Sequence, residues 1–476
     1  MNYFIAASPT RKVLFGIIIV AVILRVGAVL LFHPPLISDA KEYDAIARAL
    51  VRGDGFTLEG NPTAFRLPGY PLLLAATYAV FGDSQVPIKM LQVIADVISC
   101  LLLFGIGKKL FSEKVGLAAA AILALFPIQV LYVPLLMTET IFTTILLLIV
   151  WVAVVEDVPG QLIILGVLTG LGMLLRTVVA CLPLMIVLYR WRCGTPFHTN
   201  VRSLVIIAAA AFITVSPWLA RNYVEFHRIA FTSNAGVNFW VGNHSGANGS
   251  YSFPNENNPL NGAKDEFDRS NLGFKLGFEF IRTRPLESIV LEVKKVAHFF
   301  AADYWLLMAM NYKPEWAFMR SASSMYRQFS LTTVIILHLP YVAVIVIGTF
   351  ALVCPARKDE KKFFFLRSLL LYWLAVHLIF FAGARFRFPI VPIFILAAAY
   401  GCFVLYENTF QRKKIRLIIF TLLCLLYVGG WLGEIFTLRS KTVNAQSVVE
   451  LILDKNPLSF DPQTPCFHRC NQPKTR

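Results

Sequence analysis

Charged residues are scarce in this chain: Asp, Glu, Lys and Arg make up 15% of its 476 residues, whereas hydrophobic residues make up 57%. A soluble domain carries about a quarter charged residues. The shortage excludes an ordinary soluble domain and predicts an all-α polytopic membrane protein. The formal net charge of +16 does not indicate nucleic acid as a partner, because the basic residues lie mainly in short loops between apolar segments, where they set topology.

Other features are missing as well. The eight cysteines lack the spacing of a metal site, and the sequence has no His cluster and no Asp-x-Asp motif beside Asp39. We therefore predict no metal ligands and leave the cofactor unknown, with a divalent cation still open. No internal repeat is visible, which disfavours a transporter built from inverted halves. Cys466 and Cys470 form an isolated pair, and a disulfide between them is open if the tail lies outside the cell.

Long apolar segments dominate what the chain does contain. They predict about eleven membrane spans, near 13–32, 86–107, 115–132, 135–155, 161–175, 178–189, 203–219, 331–353, 366–382, 389–406 and 417–438. No small-residue cleavage pattern follows the first, so we expect that segment to be retained. With a cytoplasmic N-terminus, the loops on the inner side carry an excess of Lys and Arg, in agreement with the positive-inside rule.

This topology sets the predicted organisation of the chain. One transmembrane domain covers residues 1–438, with a first outer loop at 33–85 and a large outer loop at 218–330, and a polar outer tail follows at 439–476. Acids and arginines near span ends then collect on one face from several separate places, more than solvated loops need. We expect the protein in the cytoplasmic (inner) membrane, with its active site facing the periplasm or exterior.

The first outer loop begins with a helical pattern that places Asp39 and Tyr43 on its less polar face. Two interpretations of Asp39 stay open. It is a favoured N-cap residue, and Glu42 three positions later completes a capping box; alternatively, it is a functional carboxylate at the membrane boundary. The apolar run at 71–81 is too short to cross a bilayer and predicts an interfacial helix.

Arg25, Gln92 and Asp96 are polar residues inside the predicted spans. For Gln92 and Asp96, which share a helix face, we expect interhelical hydrogen bonds and a buried charge pair. Arg25 lies toward the outer end of its span and is a candidate to serve an outer cavity.

A series of short motifs recurs in a specific order along the chain. They are Asp39 with Tyr43, Arg66-Leu67-Pro68-Gly69-Tyr70-Pro71, Thr138-Glu139, the Arg176 junction, Pro217-Trp218 with Arg221-Asn222-Tyr223, Gly242-Asn243, and Arg385-Phe386-Arg387-Phe388-Pro389. In this order the chain resembles the GT-C membrane glycosyltransferases, and within them the bacterial branch related to the aminoarabinose transferase of lipid A and to protein O-mannosyltransferases. The resemblance runs from the first span to about residue 406.

The resemblance implies a GT-C bundle with juxtamembrane helices in the first outer loop. It implies transfer of a sugar from a polyprenyl-phosphate or diphosphate donor, with inversion, and membrane lipids as further partners. Its catalytic carboxylate corresponds to Asp39. Protein O-mannosyltransferases usually have Glu at the next position, whereas this chain has Ala40, so a glycan or lipid acceptor is favoured over a protein hydroxyl.

The candidate site residues follow from the motifs and from the charge that develops on the departing phosphate. Asp39 is the expected base. Glu139 orients the acceptor, pairs with an arginine, helps to hold a divalent cation as in some members of the wider class, or only begins a helix. Arg385 and Arg387 are the first choice for phosphate recognition and Arg66 and Arg221 the second, with lipid anchoring as the alternative. The remaining predicted substrate-binding residues are Tyr43, Tyr70, Arg176 and Asn243.

Three other functions stay open on sequence alone. A flippase or transporter of lipid-linked sugars needs polar groups along its whole path, whereas here they are concentrated at one face. A protein O-glycosyltransferase differs only in its acceptor. A structural or receptor role does not explain the convergence of carboxylates and arginines.

Overall fold

The structure, a computed structural model, describes residues 9–155, 158–251, 258–311, 329–407, 410 and 413–439. The chain is a multi-pass membrane protein, and the described residues are helical apart from turns, loops and one small β-hairpin. The helices are α1 (Pro9–Leu31), α2 (Asp39–Arg52), α3 (Gly69–Phe81), α4 (Val86–Leu110), α5 (Glu113–Leu125), α6 (Pro127–Tyr132), α7 (Thr138–Val154), α8 (Gln161–Leu175), α9 (Leu182–Arg192), α10 (Phe197–Phe226), α11 (Ala235–Val241), α12 (Glu266–Thr283), α13 (Pro285–Phe300), α14 (Tyr304–Asn311), α15 (Leu331–Val353), α16 (Glu360–Ile379), α17 (Val391–Tyr406) and α18 (Lys414–Arg439). The hairpin pairs β1 (Thr57–Leu58) with β2 (Asn61–Pro62), antiparallel.

Every apolar segment predicted from the sequence contains helix. Within the described residues, seven helices are long and apolar enough to cross a membrane, and α7 and α8 are shorter apolar helices. The segment predicted at 115–132 is not one continuous span, because the helix breaks between α5 and α6. Phe126 precedes Pro127 and has an extended backbone, since a proline drives the preceding residue out of the helical region. The segment at 178–189 is likewise a 3₁₀ turn, Thr177–Cys181, followed by α9.

Small residues set the closest helix contacts of the bundle. In α8, Gly166 and Gly170 face α10, where a Cβ atom on either glycine would lie 2.5 Å from the side chain of Ala210 or Thr214. Such spacing lets two apolar helices approach closely, which is the main source of helix association in a membrane. The α8–α10 pair therefore forms a firm support beneath the loops that follow each helix.

The polar residues inside the bundle form one buried cluster. Arg25 donates to Asp96 at 2.7 Å, and both side chains are fully buried. Asp96 also accepts from Gln129, while Gln92 donates to the carbonyl groups of Val133 and Leu135. The prediction of a buried charge pair with interhelical hydrogen bonds is confirmed. The suggestion that Arg25 serves a cavity is wrong, because its guanidinium group is committed to Asp96 and to backbone carbonyls of α5.

The first outer loop consists of α2, the hairpin and α3, in agreement with the predicted juxtamembrane helices. The C-cap Gly53 has a φ of 85° and its N–H bonds to the last turn of α2, which ends the helix. At the start of α3, Gly69 lies so close to α8 that a Cβ atom would be 2.8 Å from the Leu174 carbonyl oxygen. This contact fixes the first loop against the bundle.

The large outer loop carries α11, α12, α13 and α14. Its helix α13 is amphipathic: Leu286, Ile289, Val290 and Val293 are exposed on one face, at the spacing of successive helical turns. Such a face suits the lipid boundary. The tail predicted at 439–476, including Cys466 and Cys470, lies outside the described residues from position 440 onward.

Candidate active site

Three carboxylates and three arginines form one continuous ion-pair network at the end of the bundle that carries the first and large loops. Its order is Glu42, Arg66, Asp39, Arg385, Glu139 and Arg176. Five parts of the chain contribute: α2, the loop before α3, the start of α7, the junction before the 3₁₀ turn at 177, and the 3₁₀ helix Ala384–Ile390. The convergence expected from the sequence is thus present as direct contacts.

Asp39 lies at the centre of this network. Its two carboxylate oxygens accept separate hydrogen bonds, one from Arg66 Nη2 at 2.7 Å and one from Arg385 Nη2 at 2.5 Å. The carboxylate makes no capping bond: Ser38 is the N-cap residue, and α2 has no side-chain cap. The capping-box interpretation of Asp39 and Glu42 is therefore wrong, and both acids serve Arg66 instead.

The electrostatic setting keeps Asp39 ionised. Burial alone would raise the pKa of its carboxyl group, but the guanidinium groups of Arg66 and Arg385 outweigh burial and hold this pKa well below its ordinary value. A carboxylate locked between two cations is charged but weakly basic. It becomes a useful base only when at least one of the arginines takes another partner.

Glu139 is the fully buried member of the network. It is the second residue of α7, which begins at Thr138 after the extended residue Met137. One of its oxygens accepts from both Arg385 Nε at 2.5 Å and Arg176 Nη2 at 3.1 Å. Arg176 follows the last residue of α8 in an extended conformation, and its guanidinium lies between the rings of Phe142 and Phe386. Glu139 thus pairs with arginines, one of the roles considered for it, and is more than a helix-start acid.

Arg385 joins the two halves of the network, because it alone contacts both Asp39 and Glu139. Its guanidinium carbon also lies 5.1 Å from the centroid of the Trp305 ring, on α14. Since its side chain is 15% exposed, Arg385 is accessible to a ligand while remaining largely desolvated. These properties fit a cation that meets developing negative charge.

Aromatic residues border the network on the α2 side. The Tyr43 ring lies 5.6 Å from the guanidinium carbon of Arg66 and packs edge-on against Tyr70 at 5.3 Å. Burial is the main cause that raises the pKa of Tyr43 to about 12. Tyr70 donates to Gln92 in α4 at 2.7 Å, so its hydroxyl is bonded to the core of the bundle.

Besides Tyr43 and Tyr70, three more of the predicted substrate-binding residues lie outside the ion-pair network. Arg221 donates to the backbone carbonyls of Thr63 and Phe56. Asn243 donates to Phe239 and Ile379 carbonyls and accepts from Lys295, each within the large loop or its contact with α16. Arg387 is buried, donates to the Phe299 carbonyl and stacks on Tyr341 with its guanidinium carbon 4.1 Å from the ring centroid. The contacts of all three hold the loops in place.

Sequence reasoning missed two members of the site. The sequence pattern indicates only an optional capping role for Glu42, although its spacing of three from Asp39 places both acids on one face of α2. Trp305 lies in the large outer loop and belongs to none of the motifs, so the sequence pattern does not indicate a role for it. Among the described residues, no group of three or more His, Cys, Asp or Glu side chains is arranged to hold a metal ion.

The sequence of residues 62–220 matches the family described as dolichyl-phosphate-mannose-protein mannosyltransferase. The matched part contains Arg66, Glu139 and Arg176 but ends before Arg385 and begins after Asp39. No curated protein matches the chain in a sequence comparison.

Two solved membrane proteins are similar to the chain. The oligosaccharyltransferase of Archaeoglobus fulgidus, solved with a tethered acceptor peptide, aligns over 98% of this chain and 62% of its own, with 14% identity and a TM-score of 0.50. ArnT from Cupriavidus metallidurans, solved with undecaprenyl phosphate, aligns over 93% of this chain and 85% of its own, with 12% identity and a TM-score of 0.42. The chain spans less than two thirds of the oligosaccharyltransferase. The likeness to the oligosaccharyltransferase confirms the expected GT-C fold.

Proposed function

We propose that this chain, which has the GT-C fold and matches the mannosyltransferase family over residues 62–220, is an integral-membrane glycosyltransferase. It moves a sugar from a polyprenyl-phosphate or diphosphate donor to a hydroxyl of a glycan or lipid acceptor, with inversion at the anomeric carbon. The observation that carries the proposal is Asp39 held between Arg66 and Arg385, with Glu139 on the far side of Arg385.

The reaction is a displacement in which Asp39 is the base. The acceptor hydroxyl oxygen forms a bond to the anomeric carbon, and its proton passes to the Asp39 carboxylate, which must come within hydrogen-bond reach. The bond from the anomeric carbon to the phosphate oxygen breaks, and its electron pair leaves with the lipid phosphate. Arg385 meets the negative charge that develops there, because its planar guanidinium suits phosphate oxygens.

The balanced charge of the network imposes an order on these events. All three arginines of the network already pair with acids, and we propose that the donor phosphate takes Arg385 from Asp39 by an exchange of partners. When Arg385 turns from Asp39 to the phosphate, Asp39 loses one of the cations that lower its pKa and becomes a stronger base. Donor binding therefore activates the base, and Arg66 keeps Asp39 in position during the exchange.

The other candidate residues take supporting roles in this proposal. Glu139 accepts from Arg385 and is itself held by Arg176, while Tyr43 lies beside Arg66. The sequence predicts direct substrate contact by Tyr70, Arg221, Asn243 and Arg387; we propose instead that these residues fix the loops through their hydrogen bonds.

We place the site on the outside of the cytoplasmic membrane. The positive-inside rule supports this orientation, because the opposite end of the bundle carries Lys108, Arg367 and Arg416 around Glu113 and Glu360. Nucleotide sugars are made in the cytoplasm, so a lipid-linked donor is the plausible supply on this side. Labelling of single cysteines at positions 54 and 358 by an impermeant thiol reagent in intact cells tests the orientation; labelling at 358 alone would contradict it.

A protein hydroxyl is the second candidate acceptor, because the matching family is described by its protein substrate. Ala40 beside Asp39 is the feature that favours glycan or lipid acceptors instead. Offering the purified protein a Ser/Thr-rich peptide or a membrane glycolipid, each with the same donor, separates the two.

The experiment that tests the proposal is turnover of a lipid-linked donor by purified protein in liposomes. We expect release of polyprenyl phosphate in step with appearance of a glycosylated acceptor. Movement of intact donor across the bilayer without cleavage would contradict the proposal and favour a transporter.

A further inference from the structure

The short segment that carries Arg66 is held by the large outer loop. Its backbone bonds to residues more than 150 positions away: the Ala64 N–H donates to Glu266 Oε1 at 2.7 Å, and the Ala64 carbonyl accepts from the Ser233 N–H at 3.1 Å. The next carbonyl, of Phe65, accepts from the Thr232 hydroxyl at 3.1 Å. Residues of the large outer loop therefore position the segment that leads to Arg66.

Glu266 is the side chain that makes the most direct connection. It is the first residue of α12, whose N-cap Asp265 bonds to the Phe267 and Asp268 N–H groups and so fixes the helix start. One Glu266 oxygen takes the Ala64 N–H and the other takes the Thr63 hydroxyl at 2.9 Å. The partly buried carboxylate thus accepts two hydrogen bonds from neighbouring residues, which fix both the position and the direction of the segment at Thr63 and Ala64.

Arg221, at the outer end of α10, completes the clasp. Its two terminal nitrogens donate to the Thr63 and Phe56 carbonyls at 2.8 and 2.9 Å, and its guanidinium carbon lies 5.2 Å from the Trp218 ring centroid. Phe56 in turn packs edge-on against Trp218 at 4.8 Å. Residues 56–65 are thus anchored at both ends before the chain reaches Arg66.

We propose that Glu266 is a positioning residue for the reaction: through Thr63 and Ala64 it sets the place of Arg66, and through Arg66 the orientation of Asp39. The inference rests on the proposed function for its catalytic consequence. Among the described residues, Glu266 forms no hydrogen bond or ion pair with Asp39 or Arg66, so its effect on them passes through the segment that it holds. It makes the large outer loop part of the active site by way of backbone position.

A double-mutant cycle between Glu266 and Arg66 tests the inference. Glu266→Ala is expected to lower kcat/KM by about tenfold in the wild-type background, since a small displacement of a positioned group costs up to about 100-fold. In an Arg66→Gln background the same change is expected to cost less than about twofold, because the residue to be positioned is already gone. Equal losses in both backgrounds would overturn the proposal.

Rescue and control variants distinguish positioning from general damage. Glu266→Gln retains an oxygen for the Ala64 N–H and is expected to keep at least about half of the activity. Thr63→Val removes the bond to Glu266 together with the hydrogen bond that the Phe65 N–H donates to the Thr63 hydroxyl, and is expected to lower the activity at least about threefold. Asp268→Asn is the matched control, on the first turn of the same helix in a partly exposed pair with Arg228, and is expected to leave activity unchanged. Failure of Gln to rescue would count against the proposal.

Hydrogen exchange gives a readout that does not depend on sugar transfer. In Glu266→Ala, the amides of residues 63–66 are expected to exchange at least about tenfold faster, with α8 and α10 unchanged. Faster exchange with wild-type kcat/KM would overturn the positioning role and leave the proposed function intact. If the wild-type protein released no polyprenyl phosphate, the proposed function would fail. The double-mutant cycle between Glu266 and Arg66 could then be measured on the thermal unfolding midpoint. Together with the exchange rates, it would still decide whether Glu266 positions Arg66.

Discussion

Replacing Asp39 with Asn separates the chemistry of this carboxylate from its structural contribution. The amide has almost the same shape, and its oxygen can still accept one of the two arginine hydrogen bonds. It cannot take up the acceptor proton at neutral pH. Because a positioned general base contributes about 10²- to 10⁴-fold to a rate, we expect kcat to fall by that factor.

The structural cost of the substitution is much smaller. Removing one partner of a fully buried ion pair costs about 3–5 kcal/mol. Here Arg66 keeps Glu42 and Arg385 keeps Glu139, and Asp39 is 15% exposed. We therefore expect a loss of about 1–2 kcal/mol in the free energy of unfolding, which leaves the protein folded and inserted.

The assay measures kcat, donor KM and the thermal unfolding midpoint on protein reconstituted in liposomes. Asp44→Asn is the matched control: Asp44 is buried on the same helix α2, where its carboxylate accepts from Tyr78 and Arg48, outside the ion-pair network. We expect the control to turn over donor at nearly the wild-type rate. If folded Asp39→Asn kept kcat within tenfold of wild type, the assignment of Asp39 as the base would be refuted.

Three further predictions follow from the same contacts. Arg385→Gln is expected to raise donor KM by about 10- to 100-fold, because it loses a charged hydrogen bond to the phosphate. Arg387→Gln is expected to lower the thermal unfolding midpoint and to leave donor KM unchanged. Donor titrations and melting curves on both variants decide this. Arg66→Gln removes a cation that lowers the Asp39 pKa, so the acid limb of the kcat/KM pH profile, where the carboxylate base becomes protonated, moves to higher pH; an unmoved limb would contradict the pairing. Arg25→Met is expected to destabilise the protein by about 3–5 kcal/mol, and adding Asp96→Leu to restore most of that loss; additive destabilisation on melting would argue against their buried pair.

The sequence carried enough information to predict the bundle and most of the ion-pair network. Long apolar runs determine where the membrane spans lie. The order of the spans and the charges of the loops together predict which loops lie on the same side of the membrane. Pro127 is the exception: it signalled a break between α5 and α6 that the apolar run concealed, because hydropathy alone is insensitive to backbone geometry. The juxtamembrane helices α2 and α3 were predictable from their length and pattern.

The separate roles of Arg385 and Arg387 could not be predicted from their spacing. Both lie in a 3₁₀ helix, which has three residues per turn, so side chains two positions apart point in different directions. Arg385 therefore reaches Asp39, while Arg387 turns toward Phe299 and Tyr341. Arg221 and Glu266 depend on contacts between residues far apart in the chain, and a local pattern contains no trace of those contacts.

The most direct test of the central claim is an experimental structure of the protein with polyprenyl phosphate bound in lipid. The account predicts phosphate oxygens within about 3 Å of the Arg385 guanidinium, with the Asp39 carboxylate released from Arg385 and still bonded to Arg66. A phosphate bound elsewhere on the bundle, with the pair of Asp39 and Arg385 intact, would contradict it.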